Sequence, residues 1–221
     1  MTEDEVLDVA EACADTVRRA EVDLLRVAYQ WAVLHSAERL DPVESAKPGR
    51  EKARRFGGAG TPEVTEFAAA ELGVRIGRSP WAARQLIADA LDLRHRHPQL
   101  WARVEAGEVR ASYARHVVAK TRDLERDEAA YVDAAVVESA DGRIAWSRFE
   151  ALVAAKVAQA APERAREREL RAQRATFAKR LRGEADGMSS YLVRADLATI
   201  EAIDAGFARK AREVAEARPD D

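Results

Sequence analysis

The sequence is poor in the residues from which disulfides, metal centres and nucleophilic active sites are built. Its one cysteine, Cys13, cannot form a disulfide within the chain. Of the four histidines, His95 and His97 lie two residues apart without a further ligand cluster beside them, and His35 and His116 stand alone. We therefore predict no metal site, no cofactor and no catalytic residue. Cys13 is expected in the core, and the histidine pair at surface or capping positions.

Long apolar runs and a basic N-terminus are also lacking. No run reaches membrane-spanning length, and the acidic start MTEDEVLDVAEA is the reverse of a signal peptide. We therefore expect a cytoplasmic protein that has no membrane partner.

Charge is nearly balanced in total but segregated along the chain. The net charge of −3 argues against a histone-like coat for nucleic acid. Residues 1–16 contain acidic residues and no basic one, whereas residues 47–55 and 163–182 are rich in Lys and Arg. Such runs are usually solvated helix faces, but several basic segments in one acidic protein favour a directed electropositive surface.

Aromatic and β-branched residues are few, whereas the helix-forming residues Ala, Leu, Arg and Glu are abundant. This composition predicts a mainly α, elongated domain of eight or nine helices with one small β-hairpin near 175–194. The predicted segments are a long N-terminal helix (1–40), a flexible basic linker (41–60), a helical core (61–162) with a helix-turn-helix-like part (62–94), and a C-terminal part (163–221) with a basic helix, the hairpin and a last helix capped by Asp196.

The N-terminal helix has the clearest pattern. Thr2 and Glu5 form a capping-box sequence. Apolar residues then recur every three or four positions, which is a heptad seam: Val6, Val9, Cys13, Val17, Ala20, Leu24, Val27, Trp31 and Leu34. Such a seam needs a partner helix, either in the same chain or in a second copy. We favour packing within the chain and keep a homodimer through residues 6–34 as the alternative.

Two Pro-containing pairs predict helix starts in the core. Thr61-Pro62 offers a cap and a first-turn proline for a helix that buries Val64, Phe67, Ala68 and Leu72. Ser79-Pro80 offers the same for the next helix, where Trp81, Ile87 and Leu91 are expected to be buried. Further on, Tyr131 is expected to point inward. The segment ATFAKRL, a turn at GEADG, and MSSYLVR give the only strand signal.

Residues 71–90, ELGVRIGRSPWAARQLIADA, fit the spacing of a helix-turn-helix. Gly73 would lie where the helices cross, and Gly77, Ser79, Ala83 and Leu86 match the turn and the buried positions of the second helix. The outward residues would then be Arg78, Arg84 and Gln85, which can pair with guanine or adenine edges. Arg78 departs from the apolar residue usual at its position, and the motif alone favours plain packing of two helices over DNA reading.

Three segments carry a resemblance to a known family. They are GTPEVTEFAAAELGVRIGRSPWAARQLIADALDL, PQLWARVEAGEVRASYARHVVAKT and ADGMSSYLVRADLATIEAIDA. In order and spacing they resemble the domain of unknown function number 222, the thirteen-E-twelve repeat family, known mainly from actinobacteria. The likeness spans about residues 3 to 215. It implies a targeting, DNA-positioning or regulatory module that stands in front of an HNH endonuclease, often in mobile elements.

The nuclease itself is not expected in this sequence. HNH chemistry needs a histidine that activates water and side chains that hold a divalent metal, and no histidine follows His116. Either the sequence is a fragment, or it is a natural copy without the nuclease. We predict a non-catalytic DNA-associated module, with a helical interaction or oligomerisation scaffold as the alternative. Besides the three base-reading residues, the predicted phosphate contacts are Lys47, Arg50, Lys52, Arg54, Arg55, Arg166, Arg171 and Arg174.

Overall fold

Helices dominate the fold, which confirms the mainly α prediction. A computed structural model of the protein describes residues 1–181 and 189–217. The helices in these residues are α1 (Glu3–Leu34), α2 (Pro42–Ala46), α3 (Ala68–Arg75), α4 (Pro80–Arg96), α5 (Pro98–Glu105), α6 (Ala111–Thr121), α7 (Arg126–Val136), α8 (Trp146–Ala160), α9 (Pro162–Arg174) and α10 (Leu197–Ala217). The strands are β1 (Ala53–Arg55), β2 (Glu63–Thr65), β3 (Phe177–Arg180) and β4 (Tyr191–Arg194), paired as two separate antiparallel hairpins.

The first compact unit, Met1–Ala161, is built around α4. Every residue from Leu86 to Leu93 is buried, so this stretch of α4 is enclosed on all sides. Helices α1, α3, α5, α6 and α7 pack around it. Most of these residues are small or apolar, and the two carboxylates among them, Asp89 and Asp92, need partners inside the fold.

The cap sequences at the starts of α1 and α4 predicted those helix starts correctly. Thr2 and Glu5 form the predicted capping box at the start of α1. The hydroxyl of Ser79 accepts the Ala82 N–H at 3.2 Å, with Pro80 at the first position of α4. Each cap satisfies a backbone donor that a helix start leaves unpaired, so the signal is readable without knowledge of the tertiary structure.

The predicted helix start at Thr61-Pro62 is wrong, and so is the expectation of a single hairpin. Residues 63–65 form β2, which pairs with β1 so that Arg54 lies opposite Val64. Val64 and Thr65 are β-branched and favour extended backbone over helix. Helix α3 begins only at Ala68, and Phe67, expected in the core, is 55% exposed at its N-cap.

Segment 41–60 folds back on the core instead of forming a free linker. It contains α2 and β1, and Phe56 at the end of β1 is buried. The Gly58 N–H donates to the buried Asp92 carboxylate at 2.7 Å, and the Glu51 carboxylate accepts the Phe67 N–H at 2.9 Å. The local sequence predicted a flexible linker and gave no sign of these long-range contacts.

The seam of α1 is not the face that packs within the unit. Its buried residues are Val22, Leu25, Ala28 and Ala32, one position away from much of the predicted stripe. Seam residues in the first half are exposed, as are Val27 and Leu34 further on, and Cys13 is exposed instead of buried. The packed face is short because only the second half of α1 lies against α4, where two alanines allow close approach. Intrachain packing of the whole seam is therefore incorrect.

The second compact unit begins at Pro162 and contains α9, the hairpin β3–β4 and α10. The hairpin predicted near 175–194 is confirmed, with Phe177 opposite Arg194. The predicted turn at GEADG lies outside the described residues. Asp196 caps α10 as expected, since its carboxylate accepts the Thr199 N–H at 3.0 Å.

Candidate functional site

The packing part of the helix-turn-helix interpretation is correct. A Cβ on Gly73 would lie 2.7 Å from the Arg78 carbonyl oxygen and 3.4 Å from the Cβ of Ala83, so α3 and the start of α4 cross where only glycine fits. The Arg78 N–H donates to the Gly73 carbonyl at 2.8 Å. Gly77 adopts a left-handed backbone, with φ of 66°. Ala83 and Leu86 are buried, as the spacing predicts.

The burial of α4 restricts what this crossing can present to a partner. From Leu86 to Leu93 no residue is accessible, so the accessible residues near the crossing lie within Pro80–Gln85, where Ala83 is itself buried. A recognition helix enters a major groove about 12 Å wide and contacts bases chiefly through its N-terminal residues. Any base contact from this crossing is therefore confined to the N-terminal end of α4.

A groove of about 820 Å³ runs beside that end of α4. We call it the α4–α6 groove because α4 and α6 form its walls and the first residue of α8 closes it. The side chains that give it chemical character are Arg78, Trp81, Gln85, Arg115, His116 and Trp146. Basic, amide, imidazole and indole groups thus share one surface that lies within the first unit.

The two tryptophans of this groove are open to solvent. Trp81 is 71% exposed, so its predicted burial is wrong. It lies in the first turn of α4, before the helix enters the core at Ala83. Trp146 is 40% exposed and held in place by edge-on contacts with Tyr113 at 4.9 Å and His116 at 5.0 Å between ring centroids. Exposed indoles on one groove are unusual for a surface with no binding role.

A buried ion network shapes the wall between α4 and α6. The Arg122 guanidinium donates to Asp92 at 2.8 Å, to Asp89 at 2.6 Å and to the Gln85 side-chain oxygen at 2.6 Å. Arg115 donates to the other Asp89 oxygen at 2.7 Å. Burial lowers the pKa of Arg122, but its bonds to Asp92 and Asp89 outweigh burial and the pKa is raised overall.

Arg96 extends this network to the C-terminus of α6. Its side chain is fully buried and pairs with Asp92 at 3.2 Å. It also donates to the backbone carbonyl oxygens of Thr121 at 3.1 Å and Arg122 at 3.2 Å, and to that of Leu124. These carbonyls lie at and just after the C-terminal end of α6, where a helix leaves carbonyl groups without intrahelical partners. Arg96 thereby joins two helices that are far apart in sequence.

Burial lowers the pKa of the two histidines near this network, His97 and His116. His97 lies between α4 and α5, a helix-end position as predicted, but it is buried and not on the surface. Its ring contacts the Asp92 carbonyl at 3.2 Å and the Thr121 hydroxyl at 2.8 Å, and burial lowers its pKa to about 4. Burial and then Lys120 lower the pKa of His116, so the groove histidine is uncharged at neutral pH.

The structure brings together two of the three predicted base-reading residues. Arg78 and Gln85 both line the α4–α6 groove. Among the described residues Arg78 has no ion-pair partner, whereas the side-chain oxygen of Gln85 is occupied by Arg122. Arg84 does not line the groove; its guanidinium lies 4.9 Å from the centre of the Phe56 ring.

The five predicted phosphate-binding residues of segment 47–55 all have local partners. Lys47 and Arg50 pair with Glu44, Arg54 with Glu66 and Arg55 with Glu63, while Lys52 donates to the carbonyl oxygens of Ser45 and Lys47. Neighbouring carboxylates therefore reduce the positive potential that the basic run predicted.

The other three predicted phosphate contacts belong to the second unit. Arg166, Arg171 and Arg174 lie on α9 and are exposed. Arg171 pairs with Glu167 at 3.1 Å, as expected for residues four apart on a helix surface.

Sequence reasoning missed the ion network and the two exposed indoles. One signal was available: Asp89, Asp92 and Arg96 follow each other at spacings of three and four on α4, which places them on one face of the helix. Charges in that position need buried partners. Those partners, Arg115 and Arg122, lie on and directly after α6 and could not be assigned from spacing.

No protein-family model, curated protein or solved structure matches this chain. Within residues 1–181 and 189–217, no group of three or more His, Cys, Asp and Glu side chains is arranged to hold a metal ion. In the same residues, no helix combines the length and apolar character needed to cross a membrane.

Proposed function

We propose that this chain is a non-catalytic, DNA-associated module and that the α4–α6 groove is its main DNA contact. One observation carries the proposal: two exposed indoles and two arginines line a single groove beside the accessible end of α4. Arginines bind phosphates, and indoles stack on bases.

The charge balance around the groove permits an anionic ligand despite the protein's net charge of −3. The ion network contains the carboxylates of Asp89 and Asp92 and the guanidinium groups of Arg96, Arg115 and Arg122. It therefore has one positive charge in excess, and Arg78 adds another. Because the whole protein is acidic, we expect modest affinity that decreases steeply with salt.

The resemblance to the thirteen-E-twelve repeat family supports a targeting or positioning role for an HNH endonuclease, including those of mobile elements. That role also fits a cytoplasmic location, where the chain would meet DNA. Segment 47–55 and the α9 arginines remain proposed phosphate contacts. Exposed ion pairs are worth less than about 1 kcal/mol, so phosphates can displace their carboxylate partners.

The test is duplex DNA binding at about 50 mM salt by the unmodified chain and charge variants. Arg78→Ala should weaken binding and lower the slope of log affinity against log salt by about 0.9. Lys47→Ala/Arg50→Ala should have a smaller effect, because Glu44 already pairs with both residues.

Arg126→Ala is the matched control for loss of one exposed arginine. It lies near His95 and Gly60, at the opposite end of α4 from the groove. Absence of binding by the unmodified chain to both duplex and single-stranded DNA at this salt would refute the proposal. Equal losses in the Arg78 and Arg126 variants would refute the groove as the contact.

The exposed first half of α1 supports a second candidate, an oligomerisation scaffold. Val6, Val9, Cys13 and Val17 form a continuous apolar stripe that no described residue covers. A second copy of the chain would bury this stripe in a helical pair. The acidic residues of segment 1–16 would repel each other in such a pair, so its formation should strengthen with salt, opposite to DNA binding.

A further inference from the structure

The α4–α6 groove is better suited to stacking its aromatic side chains on bases than to donating hydrogen bonds to base edges. We propose that it binds single-stranded or locally opened DNA and that an unpaired base stacks on Trp81. This inference rests on the proposed DNA association and specifies the form of DNA that the groove takes.

Duplex reading fits the geometry poorly. Base edges lie at the floor of a major groove that is about 8.5 Å deep, and a reading element must insert into it. Helix α4 offers only Pro80–Gln85, and α6 forms the opposite wall of the groove beside it. A base released from its stack needs no insertion, because the base itself enters the protein groove.

The aromatic groups supply the stacking surface. Trp81 presents most of its surface to solvent, and Trp146 presents less but is oriented by Tyr113 and His116. The groove volume of about 820 Å³ lies within the range of ligand pockets, about 300–1,000 Å³. The exposed indole of Trp81 and the oriented indole of Trp146 can therefore face a planar base and its neighbour.

The polar groups suit the backbone and edge of an unpaired nucleotide. Arg78 is exposed, and Arg115 is partly exposed while its Nε is held by Asp89, so both can meet phosphate oxygens. The Gln85 oxygen is bound to Arg122, which leaves its amide N–H groups to donate to a base. Since stacking is tolerant of base identity, little sequence preference is expected.

The experiment compares a fluorescent 20-nucleotide single strand with a blunt hairpin duplex of related sequence, both at about 50 mM salt. We expect the single strand to bind the unmodified chain at least tenfold more tightly. Trp81→Ala should weaken single-strand binding by about fivefold to a hundredfold, as loss of one base–aromatic stack does elsewhere. Tyr131→Ala, which removes an exposed aromatic on α7, should leave it unchanged.

Trp81 is mostly exposed, so its replacement should preserve the fold, which circular dichroism checks. Quenching of tryptophan fluorescence by the single strand gives a second readout that should shrink in the Trp81 variant. Duplex binding that equals or exceeds single-strand binding, or a Trp81 variant that binds normally, would overturn this inference and leave DNA association standing. Absence of binding to both DNAs would overturn the proposed function as well.

Discussion

Arg96 and His97 are adjacent at the end of α4, and both are buried although they are polar. Arg96 is charged and has a carboxylate and several carbonyl groups as partners. His97 is held as a neutral ring between the Asp92 carbonyl and the Thr121 hydroxyl. Arg96 pairs directly with the Asp92 carboxylate, whereas burial and the neighbouring charge of Arg96 lower the pKa of His97.

The buried His97 makes stability dependent on pH. Its pKa is about 4 in the folded protein against 6.5 when unfolded, so between these values the unfolded state binds more protons. Stability should therefore decrease as pH falls from about 6.5 towards 4. The loss from His97 alone should be about 2 kcal/mol at pH 5 relative to pH 7.5.

Urea unfolding of the unmodified chain and of His97→Gln at both pH values measures this loss. Burial also lowers the pKa of His95 and His116, so part of the pH dependence should remain in the variant. His97→Gln should start less stable at pH 7.5 but lose about 2 kcal/mol less on acidification. An equal loss in both proteins would show that His97 is not the titrating group.

At the scale of elements, the α3–α4 crossing depends on two glycines for different reasons. Gly73 is glycine because a side chain would collide with the backbone of Arg78. Gly77 is glycine because its φ is 66°, and no atom lies within 4 Å of a Cβ placed there. Substitution by asparagine separates these two reasons, since asparagine tolerates the left-handed conformation but still has a Cβ.

Gly77→Asn should therefore cost less than about 1 kcal/mol, whereas Gly73→Asn should cost about 1–3 kcal/mol or more through overpacking. Urea midpoints of both variants at pH 7.5 give the comparison. If Gly77→Asn were the more damaging substitution, the crossing would not have the close approach described.

The elements that the sequence predicted well are those with local signals. The caps of α1, α4 and α10 are read from a few neighbouring residues, and the β3–β4 hairpin from alternation near a Gly/Asp turn. Strands β1 and β2 were missed because Thr61-Pro62 matched a helix start as well as a turn. The strand pairing that decides between them comes from residues about ten positions earlier.

The candidate site was predicted less completely than the fold. Gly73, Gly77 and Ala83 were assigned correctly because helix crossing is a matter of size and spacing. Trp81 was placed wrongly because residues on every side of α4 between Leu86 and Leu93 are buried, so the sequence pattern does not show which residues of the first turn are exposed. The ion pairs that Arg115 and Arg122 make with α4 join residues 26 to 33 positions apart, beyond any local pattern.

At the scale of the whole molecule, the first half of α1 stands apart from the core. Residues 3–14 are all exposed, although an isolated helix of this length is only marginally stable in water. The apolar stripe of this half is suited to a partner, and its acidic residues limit which partner can approach.

If that partner is a second copy, sedimentation should detect a dimer that strengthens as salt rises from about 50 to 500 mM, because the acidic helices then repel less. Val9→Glu/Val17→Glu should give a folded monomer at both salt concentrations. A monomer at high micromolar concentration for the unmodified chain, at both salt concentrations, would rule out the homodimer.

The most direct test of the central claim, that DNA contacts the α4–α6 groove, uses the protein's own tryptophans. The four tryptophans divide evenly: Trp81 and Trp146 line the groove, whereas Trp31 is half-buried against α3 and Trp101 is buried. Labelling with 5-fluorotryptophan gives one fluorine NMR signal for each. On titration with DNA at about 50 mM salt, we predict shifts for Trp81 and Trp146 and none for Trp31 and Trp101. Bound DNA with unshifted Trp81 and Trp146 signals would contradict the account.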